Sequence, residues 1–257
     1  LGLPWEANPD RGEAARLAQC RRAGVNRVSL GIQALADAAL RFRGREHSAT
    51  QARAALEGAR TLFDRITFDL IYARPEQTLA AWQSELQTAL ALAADHISLY
   101  QLTIEPGTKF EALYRSHSFT LPDEDEAAAL YDATSAITAA HGLRAYEASN
   151  YARPGGESRH NLTYWRYGDY LGIGPGAHGR LSLPGGLYAP RRHRAPDPWA
   201  SLVPHHGTGQ TSQYEPDPPD RARETPLTGP RAAPAIHTPR FPAPPRPPPD
   251  PPRAPPP

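Results

Sequence analysis

A chain of 257 residues with a formal net charge of +1 has room for one or two domains, and it carries no general attraction for nucleic acid or for an anionic membrane surface. Its single cysteine, Cys20, excludes an intrachain disulfide framework and any all-cysteine metal or cluster site built from these residues alone. No run of about 20 apolar residues occurs, which argues against a membrane-spanning helix and leaves a reducing, cytoplasmic setting as the simplest fit. The chain opens without methionine inside an apparent strand, Leu1-Gly2-Leu3-Pro4-Trp5, and reads as a fragment without its true N-terminus.

The elements follow in order. A short strand runs to about Trp5-Glu6-Ala7 and breaks at Asn8-Pro9-Asp10. A helix is predicted over roughly 11–23, with Ala14, Leu17, Ala18 and Cys20 on one face and Gly24 as its stop. Val25–Leu30 is a short apolar strand leading into Gly31-Ile32-Gln33, and helical stretches follow near 35–42 and 49–62. Ile66–Tyr72 is the next strand. Leu79, Trp82, Leu86, Leu90 and Ala93 recur at helical spacing, and Ile97–Thr103 is a further strand. Short apolar strands joined by helices predict parallel βαβ units in a part-barrel or doubly wound sheet. Polar groups at the carboxyl ends of such strands become site candidates.

After Glu105-Pro106-Gly107-Thr108 the pattern changes. Asp123 and Glu126 predict a capping box at the start of a long helix, buried through Leu130, Ala133, Ile137 and Ala140. A strand is expected around Ala145–Ala148, then a polar-aromatic stretch from Ser158 to Tyr167 and a glycine-rich run from Gly172 to Gly179. That run reads as a tight turn with close backbone packing, because Pro175 interrupts it. Of the 30 prolines, 19 fall in 204–257. This tail cannot bury enough apolar surface to order itself and should be disordered, with local polyproline II. It reads first as a solvated tail, with an adaptor-domain ligand or frame-shifted GC-rich coding as the other readings.

Several polar residues sit where a parallel part-barrel places a ligand. Glu6 closes the first strand, Gln33 follows the second, and Asp69 lies inside an apolar strand, where a carboxylate is costly unless paired or bound. A core arginine partner explains Asp69 equally well. Arg45 can bind a carboxylate or phosphate bidentately, or pair at the surface with Glu46 or Glu57. His160 and His178 can ligate a metal or a heme iron, though spacing alone favours structural roles for both.

Taken together the motifs say more. Glu6-Ala7-Asn8-Pro9, Gly31-Ile32-Gln33, Gly44-Arg45-Glu46-His47, Asp69-Leu70-Ile71-Tyr72 and Pro75-Glu76-Gln77-Thr78 occur in that order. They are followed by the segment from Ser98 to Thr108, the segment from Tyr146 to Gly155, His160-Asn161 to Trp165, and Gly172 to Gly179. Over about residues 1–190 the chain closely resembles the HemW-type heme chaperones, radical S-adenosylmethionine proteins similar to oxygen-independent coproporphyrinogen III oxidase. The resemblance implies an α/β fold: part of a radical-SAM (β/α) barrel over 1–110, a small α+β region over 111–203, and the Pro/Arg-rich tail over 204–257. It implies a 4Fe-4S cluster, S-adenosylmethionine, and reversible heme binding with delivery to respiratory hemoproteins. Glu6, Gln33, Arg45 and Asp69 would contact S-adenosylmethionine, with Thr103 nearby. His160 would be linked to heme, supported by Asn161, Tyr164 and Trp165. It implies no nucleic-acid partner and no transmembrane segment, and it is compatible with peripheral membrane association.

The sequence also departs from the family pattern. The C-x-x-x-C-x-x-C cluster motif and the glycine-rich loop after the second barrel strand are missing from it, Ser158 stands where many relatives have cysteine, and Ala73-Arg74 stands where the family often has glycine-leucine. Without the cluster thiolates, this polypeptide by itself should have no radical chemistry. Two further readings stand beside the chaperone: an oxidative decarboxylase of coproporphyrinogen on the same fold, and an inactive truncated paralogue.

Overall fold

A computed structural model describes residues 4–9, 13–184 and 186–214. The predicted disorder of the tail beyond 214 lies outside these residues, as does the opening Leu1-Gly2-Leu3. The described residues divide into two compact units at the step from His160 to Asn161.

The first unit is built from strands and helices in alternation: β1 (Pro4–Ala7), α1 (Glu13–Arg22), β2 (Arg27–Gln33), α2 (Asp37–Phe42), α3 (Ala49–Leu62), β3 (Arg65–Tyr72), α4 (Leu79–Leu92) and β4 (His96–Gln101). Helices α5 (Lys109–Arg115) and α6 (Glu124–Ala140) and the short strands β5 (Arg144–Ala145) and β6 (Asn150–Ala152) complete it. One sheet of six strands runs in the order β1-β2-β3-β4-β6-β5. The first four strands are parallel, and β6 returns antiparallel to both β4 and β5. This is the part-barrel expected from the βαβ pattern.

Strand parity assigns the two faces of the sheet. Val28, Leu30 and Ile32 of β2, Ile66, Phe68 and Leu70 of β3, and Ile97 and Leu99 of β4 are buried. They form one core with Leu17 of α1, Leu56 of α3, and Trp82, Leu86 and Leu90 of α4. Trp82 is sealed, stacks on Tyr72 with ring centroids 5.1 Å apart, and donates its Nε1–H to Thr134 Oγ1 at 2.8 Å. The indole thus buries its large apolar surface without orphaning its one donor.

The capping box on α6 forms as expected: Glu126 N donates to Asp123 Oδ1 at 2.8 Å, and Asp123 N donates to Glu126 Oε2 at 3.1 Å. The buried face of α6 is rotated from the one the apolar residues suggested. Leu130, Thr134 and Thr138 are buried, Ile137 packs at the core edge, and Ala140 is exposed. The threonines can be buried because each hydroxyl returns to a carbonyl one turn back, Thr134 to Leu130 O at 2.7 Å and Thr138 to Thr134 O at 2.8 Å. The strand expected at 145–148 is instead the short pair β5 and β6 on either side of it, because residues 146–149 turn the chain back.

Helix α7 (Arg159–Trp165) spans the division between the units. The second unit holds a three-stranded antiparallel sheet, β7 (Leu181–Leu183), β8 (Gly186–Arg192) and β9 (Gln210–Tyr214), with α8 (Pro196–His206) between the last two strands. Ordered backbone therefore continues past Pro204 as far as Tyr214. A backbone ladder to β8 holds β9 in place without any apolar periodicity in its sequence. The run from Gly172 to Gly179 is a packed turn: a side chain on Gly172 would lie 2.1 Å from His178 O. A strand, β7, follows it rather than a helix, so it is no dinucleotide loop.

Candidate functional site

The inward face of the part-barrel is polar. Register places Glu6 opposite Ser29 and Ser29 opposite Thr67, with Asp69 opposite Ser98 and Ser98 opposite Asn150. Nearer the amino ends, Arg27 lies opposite Arg65. Thus the strands that bury aliphatic residues on one face turn carboxylates, hydroxyls, an amide and guanidinium groups to the other.

At the carboxyl ends three of the motifs meet on one arginine. Arg45, in the turn after α2, donates from Nη2 to Asn8 Oδ1 and to Gly31 O, both at 2.9 Å. Gly31 is glycine for a local reason: a Cβ there would stand 2.9 Å from Arg45 Nη2 and 3.0 Å from Asn8 Oδ1. His47, two residues on, bonds Ile32 O through Nε2 at 3.1 Å. Arg45 therefore spans β1 and β2 and is not spent on Glu46 or Glu57.

Beside it, β2 carries an irregularity between Leu30 and Gln33, and Gln33 takes φ +67°. A left-handed glutamine at a strand end is strained backbone that needs local support. The backbone N–H groups of Ile32 and Gln33 are turned toward the Asp69 carboxylate. Burial pushes the Asp69 pKa up to about 6, against the opposing pull of Arg45 and these amides. Asp69 Oδ1 and Arg45 Nε are both buried without hydrogen-bond partners. An orphaned carboxylate oxygen and an orphaned guanidinium N–H in one region suit a ligand carrying both donors and a carboxylate, as an amino acid sulfonium does. The alternative for Asp69, a core arginine that satisfies it, is only half met: Arg45 supplies charge but no hydrogen bond to Oδ1.

The other candidates stand as follows. Glu6 lies in β1 and is exposed. Thr103 lies two residues beyond the end of β4, exposed, with its hydroxyl donating to Glu105 Oε1 at 3.2 Å. The ladder continues past the strand only through Leu102 N to Tyr72 O at 2.9 Å, so Thr103 is outside the strand that was expected to hold it. Arg74, the departure from pattern, is buried and pairs with Glu85, which also accepts Leu35 N at 2.8 Å. It ties the end of β3 to α4. His178 belongs to the second unit, bridged to Arg191 through the backbone. Asn161, Tyr164 and Trp165 also fall in the second unit, where Tyr164 meets Tyr170 edge-on at 4.7 Å.

His160 is half-buried at the start of α7, and Ser158 Oγ bonds its Nδ1 at 2.7 Å. Burial lowers its pKa, while the Glu6 carboxylate works in the opposite sense. Glu6 and His160 therefore share one electrostatic environment. A buried network backs this region. His96 bonds Thr67 Oγ1 through Nδ1 at 2.5 Å and Tyr146 OH through Nε2 at 2.7 Å, and Ser158 N donates to the same phenol oxygen at 3.3 Å. Burial pushes the His96 pKa down to about 3, so this imidazole is neutral at neutral pH. A second network joins Ser98 Oγ to Asn150 Oδ1 at 2.5 Å and Asn150 Nδ2 to the buried Glu147.

Thr67, His96, Ser98, Glu147 and Asn150 were not singled out from the sequence. Their signal was present in the strands: Arg65, Thr67 and Asp69, then His96 and Ser98, are polar at every second position along β3 and β4. The cluster is another matter. Cys20 packs on α1 against the hydrophobic core, and no group of three His, Cys, Asp or Glu residues that could hold a metal exists among the described residues. These residues do not fit a 4Fe-4S cluster. No described helix is long and apolar enough to cross a membrane.

Comparison with known proteins gives the family. No family model matches the chain. Mouse mitochondrial radical S-adenosyl methionine domain-containing protein 1 is 44% identical over 209 residues, covering 79% of this chain and 47% of that protein. The heme chaperone HemW of Escherichia coli (strain K12) is 42% identical over 185 residues, covering 72% of this chain and 48% of HemW. HemW of Bacillus subtilis (strain 168) is 41% identical over 177 residues. The chain thus spans about half the length of the curated relatives it matches. Coproporphyrinogen III oxidase of Escherichia coli, a radical SAM enzyme, shares the fold with a TM-score of 0.70 at 22% identity, over 88% of this chain and 54% of that one. At 42% identity to HemW of Escherichia coli over 72% of its own length, this chain belongs to the HemW-type radical S-adenosylmethionine proteins.

Proposed function

We propose that this chain is the heme-binding portion of a radical-SAM heme chaperone, one that takes up heme reversibly and passes it to hemoproteins of the respiratory chain. The observation that carries the reading is His160. It lies in the His-Asn-x-x-Tyr-Trp stretch, its ring is oriented by Ser158, and it shares its surroundings with Glu6 of the inward barrel face. Imidazole is a common axial ligand of heme iron.

S-adenosylmethionine belongs to the same reading, at the carboxyl ends of the strands. There Arg45 would hold the ligand carboxylate through Nε, while Asp69 and Glu6 would accept from its amino group or ribose hydroxyls. Gln33 and Thr103 would line the same end. When bound with a reduced cluster, that cofactor supplies a carbon radical. The cluster thiolates of the family have no counterpart among these residues, so the chain's own contribution is binding and orientation. A reducing, cytoplasmic setting completes the reading.

The test is an absorbance titration of ferric heme into the purified chain and into His160→Ala. The chain should shift the Soret band saturably, and the variant should lose or alter that shift. Unchanged affinity and spectrum in His160→Ala would remove His160 from the iron. Turnover of coproporphyrinogen by the full-length protein would favour the oxidase reading instead.

A further inference from the structure

At the amino ends of β1, β2 and β3, away from the strand ends that would hold S-adenosylmethionine, a cavity of about 300 Å³ opens among Arg27, Arg65, Ser158, Arg159 and His160. Its charges are unevenly spent. Arg27 is only 6% exposed; Nη2 donates to Gly156 O at 2.8 Å and lies 3.7 Å from Asp95, while Nη1 has no partner. Arg65 stands opposite Arg27 across the ladder, is held by Gly155 O at 2.7 Å, and disfavours the charge on Arg27. Two guanidinium groups are thus held side by side, one of them sealed from water and short of a partner. That arrangement costs free energy unless an anion sits between them. Asp64 and Glu157 also line the cavity, and among the described residues neither is ion-paired with Arg27 or Arg65. The Asp64 side chain is 98% exposed and lies 4.0 Å from Arg21, and Glu157 is half-buried and acts on Arg27 only at a distance.

We infer that this cavity is a carboxylate-binding subsite, and that its ligand is the propionate edge of heme. The inference rests on the heme reading above and extends it, since His160 on the same wall then lies next to the macrocycle. The cavity is too small to enclose a tetrapyrrole but has room for one carboxylate edge, with Arg65 and Arg27 as the charge partners. Arginine matches a carboxylate with two parallel N–H donors, which fixes orientation as well as charge.

The experiment compares heme with heme dimethyl ester, whose propionates carry no charge, by absorbance titration of the full chain and of Arg65→Gln. Arg65 is half-exposed, so its replacement leaves the core intact, and melting curves confirm folding. The chain should bind heme about tenfold more tightly than the ester, the size of one charge-assisted contact. Arg65→Gln should bring heme down to the ester's affinity while leaving the ester unchanged. Equal affinity for both ligands in the unaltered chain, or equal loss of both in Arg65→Gln, would overturn the subsite while leaving heme binding itself standing. Uptake of neither porphyrin would overturn the heme reading, and the subsite with it. Arg65→Lys, which keeps charge but loses the paired donors, should fall between the two.

Discussion

The two faces of one sheet obey different rules. On the outward face, Val28, Leu30, Phe68, Leu70 and Leu99 are sealed in one apolar core with residues of α1, α3 and α4. On the inward face, the same strands carry Glu6, Ser29, Thr67, Asp69, His96 and Ser98. The outward face supplies the burial that holds the fold. The inward face is partly unsatisfied, with bare oxygen on Asp69 and bare nitrogens on Arg45 and Arg27. A protein tolerates such groups when a ligand completes them, so in this sheet stability and binding are divided by strand parity.

The largest loss of stability is expected on the outward side. Phe68→Ala should destabilise the first unit by about 3–5 kcal/mol, from lost transfer energy and the cavity it leaves. Chemical denaturation with far-UV circular dichroism reads this, and a loss below about 1 kcal/mol would mean that the core is not where the fold is held. Next comes the inward network. His96→Leu removes one hydrogen bond from each of the Thr67 and Tyr146 hydroxyls and should cost about 2–4 kcal/mol at pH 8. A folded pKa of about 3 lies below the unfolded value near 6.5, so the unfolded chain takes up the proton first. Stability contributed by neutral His96 is therefore complete above about pH 6.5 and lost as pH falls below it, and the variant should lack this component in its melting profile against pH.

Asp69→Asn should act in the opposite direction. The folded pKa of about 6 exceeds the unfolded value of 3.8, so the charged carboxylate is a burden that grows as pH rises from about 4 to about 6 and stays constant above. The variant should gain about 1–3 kcal/mol at pH 8, and less at pH 4, while losing affinity for S-adenosylmethionine. A variant that is destabilised at pH 8 would show that Asp69 is a structural partner rather than a waiting ligand. The smallest effect belongs to Glu6→Gln. Exposed in β1, it should change stability by less than about 0.5 kcal/mol and still alter the ionisation of His160, measured by NMR titration of its ring protons.

The sequence was most legible where local rules decide. The strand–helix alternation, the capping box at Asp123 and the helix through Trp82 follow from periodicity and cap chemistry, and the structure bears them out. Family motifs singled out Glu6, Gln33, Arg45 and Asp69, and in the structure the Arg45 charge and the Gln33 backbone N–H act on the Asp69 carboxylate. What stayed hidden depends on long-range pairing. Gln33 adopts a left-handed backbone because β2 slips against β3, which no local pattern announces. Thr134 and Thr138 enter the core because their hydroxyls are consumed one turn back. Arg27 and Arg65 become neighbours only once the strands are in register. The strand β9 depends on β8 in the same way, and composition alone read its residues as part of the tail.

The most direct test of the division between the two faces is amide hydrogen exchange of the full chain with and without ferric heme. Heme should slow exchange at 64–67 and 155–160, around the cavity, and leave α3 and α4 on the outward side unchanged. Protection confined to α3 and α4, or none at saturating heme, would contradict that division.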